Sequence, residues 1–163
     1  MDARRTQTNS ARGDHPAEYV IVVADTSGLF AAFDASAPEH DRARSALAAA
    51  ALVVVCPLVF LELEHLAKRD FDWSTAGVIN DWLLEHEPAG RVAVPALPSD
   101  YLRKARAVQN KYADLRLDLT DAVNVVLAAE FETDVILTLD HRDFRAIRPL
   151  TGSEGFRILP EDL

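Results

Sequence analysis

Cysteine is almost missing from this chain. Cys56 stands alone in an apolar stretch, so an intramolecular disulfide is impossible, and a reducing cytoplasm is the expected compartment. Cations are also short. Lys plus Arg total 17 against 26 Asp plus Glu, a net charge of −9, which excludes a basic protein that coats nucleic acid. Action on a phosphate backbone stays open where a metal ion reverses the local sign or basic residues cluster. The longest apolar run, Ala46 to Leu61, covers 16 residues, contains Pro57 and is followed by Glu62. That is shorter than the ~20 residues a spanning helix needs. Arg4 and Arg5 are not followed by an apolar segment before Tyr19, so neither a membrane span nor a secretory signal is expected.

What is present suits one folded unit. The 163 residues, 49% hydrophobic and 26% charged, match an ordinary globular domain with one core. Residues 1–17 are polar and patternless and read as a flexible extension, leaving residues 18–163 as a single domain. Short β-branched runs then alternate with helical patterns. Tyr19–Ala24, Leu52–Cys56, Arg91–Val94, Val135–Leu139 and Phe156–Leu159 read as strands. Helices are expected over Thr26–Phe33, Pro38–Ala51, Pro57 to about Arg69, Ser74 to about Glu87, Ser99 or Asp100 to about Tyr112, Thr120 to about Glu132, and His141–Ile147. Ser74, Ser99 and Asp100 are the expected caps of their helices. Thr120–Glu132 is apolar on most sides and is expected deep in the domain. Strands separated by helices imply an α/β fold with a parallel sheet covered on both faces.

In open α/β sheets, sites form beyond the carboxyl ends of the strands, and acidic residues occupy those positions here. Asp25 ends the first strand, Asp140 the fourth, Glu62 lies about a turn and a half into the helix after the second, and Asp121 opens the deep helix. Two carboxylates ~6 Å apart repel by roughly 3 kcal/mol at an effective dielectric near 20, and four contain six such pairs. If the four converge, a divalent cation is the simplest remedy. Oxygen-only ligands favour Mg²⁺ or Mn²⁺ over Zn²⁺, and such an ion activates water and stabilises charge on a phosphodiester oxygen. Taken singly, Asp25, Asp121 and Asp140 also suit helix caps. Glu62 resists that explanation, because a lone carboxylate in an apolar helix segment is costly.

Asp25-Thr26-Ser27 after a hydrophobic strand, Pro57-Leu-Val-Phe-Leu-Glu62, Leu119-Thr-Asp121-Ala and Leu137-Thr138-Leu-Asp140-His-Arg-Asp-Phe144 resemble, in order and spacing, the motifs of PIN-domain ribonucleases, and most nearly the VapC-type toxins of toxin-antitoxin pairs. The resemblance covers about Val20 to Pro160. It implies an α/β/α sandwich with a mainly parallel central sheet and a Mg²⁺- or Mn²⁺-dependent endoribonuclease. Asp25, Glu62, Asp121 and Asp140 would be its catalytic acids, with Asp25 and Asp121 as metal ligands. Thr26 or Ser27 would order Asp25 and the metal's waters, and Thr138 would support the last strand end. It also implies a homodimer silenced by a small antitoxin protein.

Other residues stay open between two readings. Arg142, Arg145 and Arg148, with Lys68 and Arg69, either contact RNA phosphates or form a solvated face. Asn124, one turn after Asp121, either binds a water or phosphate or makes a polar core contact. Glu64 turns to another side of its helix, Asp118 fits a capping position, and Asp143 is expected to cap the last helix. His65 and His141 are expected on the surface. A catalytically silent fold that binds RNA or a protein is the alternative to the nuclease. A phosphatase or phosphoacceptor ranks third, since it wants Asp-x-Asp after the first strand or a Lys at a later strand end, and the chain has Asp25-Thr-Ser and no such Lys.

Overall fold

The computed structural model describes residues 20–163; the expected extension over residues 1–17, and the first two residues of the expected domain, lie outside them. The elements run β1 (Ile21–Ala24), α1 (Thr26–Phe33), α2 (His40–Ala49), β2 (Leu52–Val55), α3 (Pro57–Asp70), α4 (Trp73–Glu85), β3 (Val92–Ala93), α5 (Ser99–Lys111), a 3₁₀ turn (Ala113–Leu115), α6 (Leu119–Glu130), β4 (Val135–Leu137), α7 (His141–Ala146) and β5 (Arg157–Leu159). The five strands form one sheet in the order β3-β2-β1-β4-β5, and every pairing is parallel. Helix α1 packs against both α2 and α3, α4 packs on α3, and α5 packs on α6, giving the expected α/β/α sandwich.

β1 and β2 are buried runs of Val22, Val23, Ala24 and Val53 to Val55, since a central parallel strand has helices over both faces and no solvated side to alternate toward. α6 is deep, as its composition predicts: eight of its residues, Thr120 and Ala122 to Ala128, are buried. Each fully buried Val or Leu contributes roughly 1.5–3 kcal/mol relative to exposure.

Helix ends differ from expectation where another residue competes for the cap. Asp72, not Ser74, caps α4 by accepting from the Thr75 N–H at 2.8 Å, while the Ser74 hydroxyl turns back to Asp72. α5 follows Pro98 without a side-chain cap, because Pro98 holds extended backbone and puts Ser99 and Asp100 already inside the first turn. α6 is capped by Asp118, which accepts from the Asp121 N–H at 2.8 Å, as its position suggested.

The strand order places the switch between β1 and β4, whose neighbours lie on opposite sides. There α1 presses onto the end of β4. The Asp25 N–H donates to the Leu137 carbonyl at 2.9 Å, and a Cβ on Gly28 would lie 2.5 Å from that same carbonyl oxygen. In α4, a Cβ on Gly77 would meet nothing within 4 Å. Ala in place of Gly in a helix normally stabilises by about 0.5–1 kcal/mol. Gly77→Ala is therefore expected to raise the melting temperature, while Gly28→Ala lowers it by an overpacking cost of about 1–3 kcal/mol. Thermal unfolding of the two variants checks the opposite signs.

Candidate active site

The acids singled out in the sequence lie around the carboxyl ends of β1 and β4. Asp25 sits at the cap position of α1 yet makes no capping bond. Instead Oδ2 accepts from the Ser27 hydroxyl at 3.0 Å and the Thr138 hydroxyl at 2.9 Å, and Oδ1 accepts from the Asn124 amide at 3.2 Å. Asp25 is 5% exposed. All of these side-chain donors are neutral. Burial pushes its pKa up, against the hydroxyls and the Thr26 N–H that pull it down, and the charge of Glu62 adds to the rise.

Asp121 is also free of capping duty, because Asp118 performs it. Its pKa is pushed up to about 8, first by burial and then by the charges of Asp25, Asp118, Asp140 and Glu62. Glu62 reaches the rim from α3, and its Oε2 and Oε1 accept from the hydroxyls of Thr26 and Thr120 respectively. Asp140 is the one acid for which the capping explanation holds: it accepts from the Asp143 N–H at 3.4 Å. The Asp140 N–H donates to the Thr138 hydroxyl at 3.0 Å, so Thr138 ties the end of β4 to Asp25. Asp25, Glu62 and Asp140 are each turned toward neutral donors of their own. Among the described residues no three Asp, Glu, His or Cys side chains are close enough to share one ion, although Asp121 feels the charge of all three other acids.

Several expectations need correction. Ser27 orders Asp25, but the Thr26 hydroxyl turns to Glu62, since the first residue of α1 faces α3. Asp143 does not cap α7; Asp140 does, and Asp143 is buried and pairs with Arg142 at 2.9 Å. The Arg142 side chain is still 82% exposed. Arg145 is engaged by Glu161 and Asp162, Lys68 by Glu64 and Arg69 by Asp70, so these cations fold onto neighbouring acids. His141 faces Glu161 at 3.1 Å. Thr120 was missed: a threonine at a helix start carries no motif of its own, and only its contact with Glu62 marks it. Cys56 is buried, its thiol pushed up to about 11 mainly by burial, and is unreactive at neutral pH.

In its chemistry, though not in its spacing, the donor set suits a hard divalent cation. It is oxygen only, and none of the ion pairs among the described residues reaches Asp25, Glu62, Asp121 or Asp140. The Asn124 amide oxygen, fully buried beside Asp25, has no donor among the described residues. A hydrated cation, if held there, would supply positive charge to these acids.

The raised acids set a pH dependence. Between the ordinary carboxyl range near 4 and about 8, the folded chain holds protons that the unfolded chain releases. The contribution of Asp121 to stability is therefore complete below the ordinary carboxyl range and is lost as pH rises toward about 8, with a limiting slope of about 1.4 kcal/mol per unit. Melting temperatures in chelator are expected to drop from pH 5 to pH 8. Asp121→Asn is expected to flatten that slope and to melt higher than the parent at pH 8.

Comparison with known proteins follows the same line. Residues 22–149 match the family model described as PIN domain. The chain is 35% identical over 141 residues to Ribonuclease VapC26 of Mycobacterium tuberculosis, covering 85% of this chain and all of that protein. The crystal structure of Mycobacterium tuberculosis VapC20, described as a sarcin-ricin loop cleaving toxin, superposes with a TM-score of 0.65 over 73% of this chain and 89% of that one, at 18% identity, a likeness of fold. With the domain model spanning most of its length and a relative matched from end to end, this chain belongs to the PIN domain family and is related within it to the VapC ribonucleases.

Proposed function

We propose that the chain is a Mg²⁺- or Mn²⁺-dependent endoribonuclease, the toxin of a toxin-antitoxin pair. The observation that carries this reading is the rim where β1 and β4 diverge: Asp25 is buried there with only neutral side-chain donors, and none of the ion pairs among the described residues reaches Asp25, Glu62, Asp121 or Asp140. Kinship with Ribonuclease VapC26 supports the choice of RNA as substrate.

Asp25 and Asp121 are the proposed metal ligands, with Glu62 and Asp140 completing the acidic rim. When bound, the ion supplies an activated water and charge stabilisation on the phosphodiester oxygens. Ser27 and Thr138 hold Oδ2 of Asp25, so Oδ1, with the single donor Asn124, keeps capacity to bind. Thr138 also holds the Asp140 backbone, which couples the two strand ends. Asp140 keeps its place through its bond to the first turn of α7. Arg142 extends from that turn into solvent and is the proposed phosphate contact. Arg145, held by Glu161 and Asp162, is a weaker candidate than its neighbour.

The proposed partners are RNA, a small antitoxin protein and a second copy of the chain, and the proposed compartment is the cytoplasm. No helix among the described residues is long and apolar enough to cross a membrane. The separation of the acids favours one other reading, a silent fold that binds RNA or protein without turnover.

Purified protein is expected to cleave RNA in Mn²⁺ or Mg²⁺ and to stop in chelator. Asp25→Ala and Asp121→Ala are each expected to lose at least ~100-fold in turnover while circular dichroism shows the fold retained. Metal-independent cleavage surviving both substitutions would falsify the mechanism. Stable RNA binding without turnover in Mn²⁺ would establish the silent reading.

A further inference from the structure

α1 and α6 begin with mirrored pairs, Asp25-Thr26 and Thr120-Asp121. In each pair the acid faces the rim, and the threonine donates its hydroxyl to Glu62 of α3. Both threonines are nearly buried, Thr26 at 7% and Thr120 at 5%. A threonine inside a helix usually bonds back to the carbonyl three or four residues earlier. Thr26 is the first residue of α1 and Thr120 the second of α6, so neither has such an intrahelical carbonyl behind it. Their hydroxyls are free to reach across to a third helix.

The consequence for Glu62 is specific. The terminal torsion of a glutamate is broad and weakly restrained. Two hydroxyls, one on each oxygen and each anchored on a different helix, fix the plane of the carboxylate. The neighbouring acid of α3, Glu64, pairs with Lys68 and does not compete for these donors. We propose that Thr120 is a positioning residue, which together with Thr26 locks the Glu62 carboxylate toward the acidic rim and so sets the affinity of that rim for a divalent cation. The inference rests on the nuclease reading of the rim and adds to it a residue to which the motifs alone give no role.

Thr120→Val removes the hydroxyl and keeps the shape; Thr120→Ser keeps the hydroxyl and loses the methyl. Two quantities are measured: Mn²⁺ affinity of the RNA-free protein by electron paramagnetic resonance, and kcat and KM on an oligoribonucleotide. Loss of a partner that orients a metal-site carboxylate typically costs about 10–100-fold. Thr120→Val is expected to weaken Mn²⁺ binding and lower kcat within that range, with KM changed less than about 3-fold, and Thr120→Ser to restore both. Thr26→Val, acting on the other oxygen, is expected to show the same pattern and serves if Thr120→Val does not fold. In a Glu62→Gln background, Thr120→Val is expected to add nothing.

Parental Mn²⁺ affinity and kcat in folded Thr120→Val overturn the proposal, as does Thr120→Ser falling as far as Thr120→Val, which would assign the effect to packing of the methyl group. If Glu62→Gln itself leaves both quantities at the parental level, the role of Glu62 in the rim fails and the proposal fails with it. If Glu62→Gln is impaired while Thr120→Val is not, the nuclease reading stands and the lock alone is overturned.

Discussion

Repulsion among carboxylates at the mouth of a parallel sheet is the constraint on which this structure turns. Asp25 is buried there and Glu62 and Asp121 are partly so, so neighbouring negative charges cost more than they would on an open surface. The chain answers with neutral donors. Ser27, Thr138 and Asn124 hold Asp25, and Thr26 and Thr120 hold Glu62. Hydroxyls and an amide orient an acid without cancelling its charge, and an arginine in their place would form a closed ion pair with no capacity left for a ligand. The cations that flank the rim fold onto other acids instead: Arg142 onto Asp143, Arg145 onto Glu161 and Asp162.

Topology explains why these acids lie along one end of the sheet. With β2 on one side of β1 and β4 on the other, the chain leaving β1 and the chain leaving β4 diverge, and the crevice between them is where parallel sheets bind their ligands. The contact that closes the bottom of the crevice is backbone on backbone. The Asp25 N–H bonds the Leu137 carbonyl, and Gly28 allows α1 to lie against that carbonyl with no side chain between. α6 then brings Asp121 from below, its first turn set by the Asp118 cap. Stability and site are thus coupled, since the glycine and the cap that let the helices approach also bring like charges together.

Much of the fold was legible in the sequence because its periodicities are strong. Val-rich runs such as Ile21–Ala24 and Leu52–Val55 have no polar alternation and require cover on both faces, and α6 is apolar nearly all round, so its depth follows from composition. Helix starts were less legible. Ser74 and Asp72 both suit a cap, and the two-residue difference between them lies in backbone conformation that no pattern records. Within the site, Asp25 and Asp121 were marked by their places at a strand end and a helix start, whereas Thr120 had no mark, because a hydrogen bond between residues 58 positions apart leaves no trace in local spacing.

The sequence by itself determined the α/β class, the buried strands and the acids at element ends, because these depend on hydrophobic period and on residue type, which are local properties of the chain. Only the tertiary structure decided which way each side chain points. It turned Thr26 from Asp25 to Glu62, gave the capping of α6 to Asp118 and of α7 to Asp140, and drew Arg145 onto the C-terminal acids. The reason is that a hydroxyl or a guanidinium bonds whichever acceptor the packing of distant elements brings within about 3 Å, and that proximity exists only once the sheet has set the helices side by side.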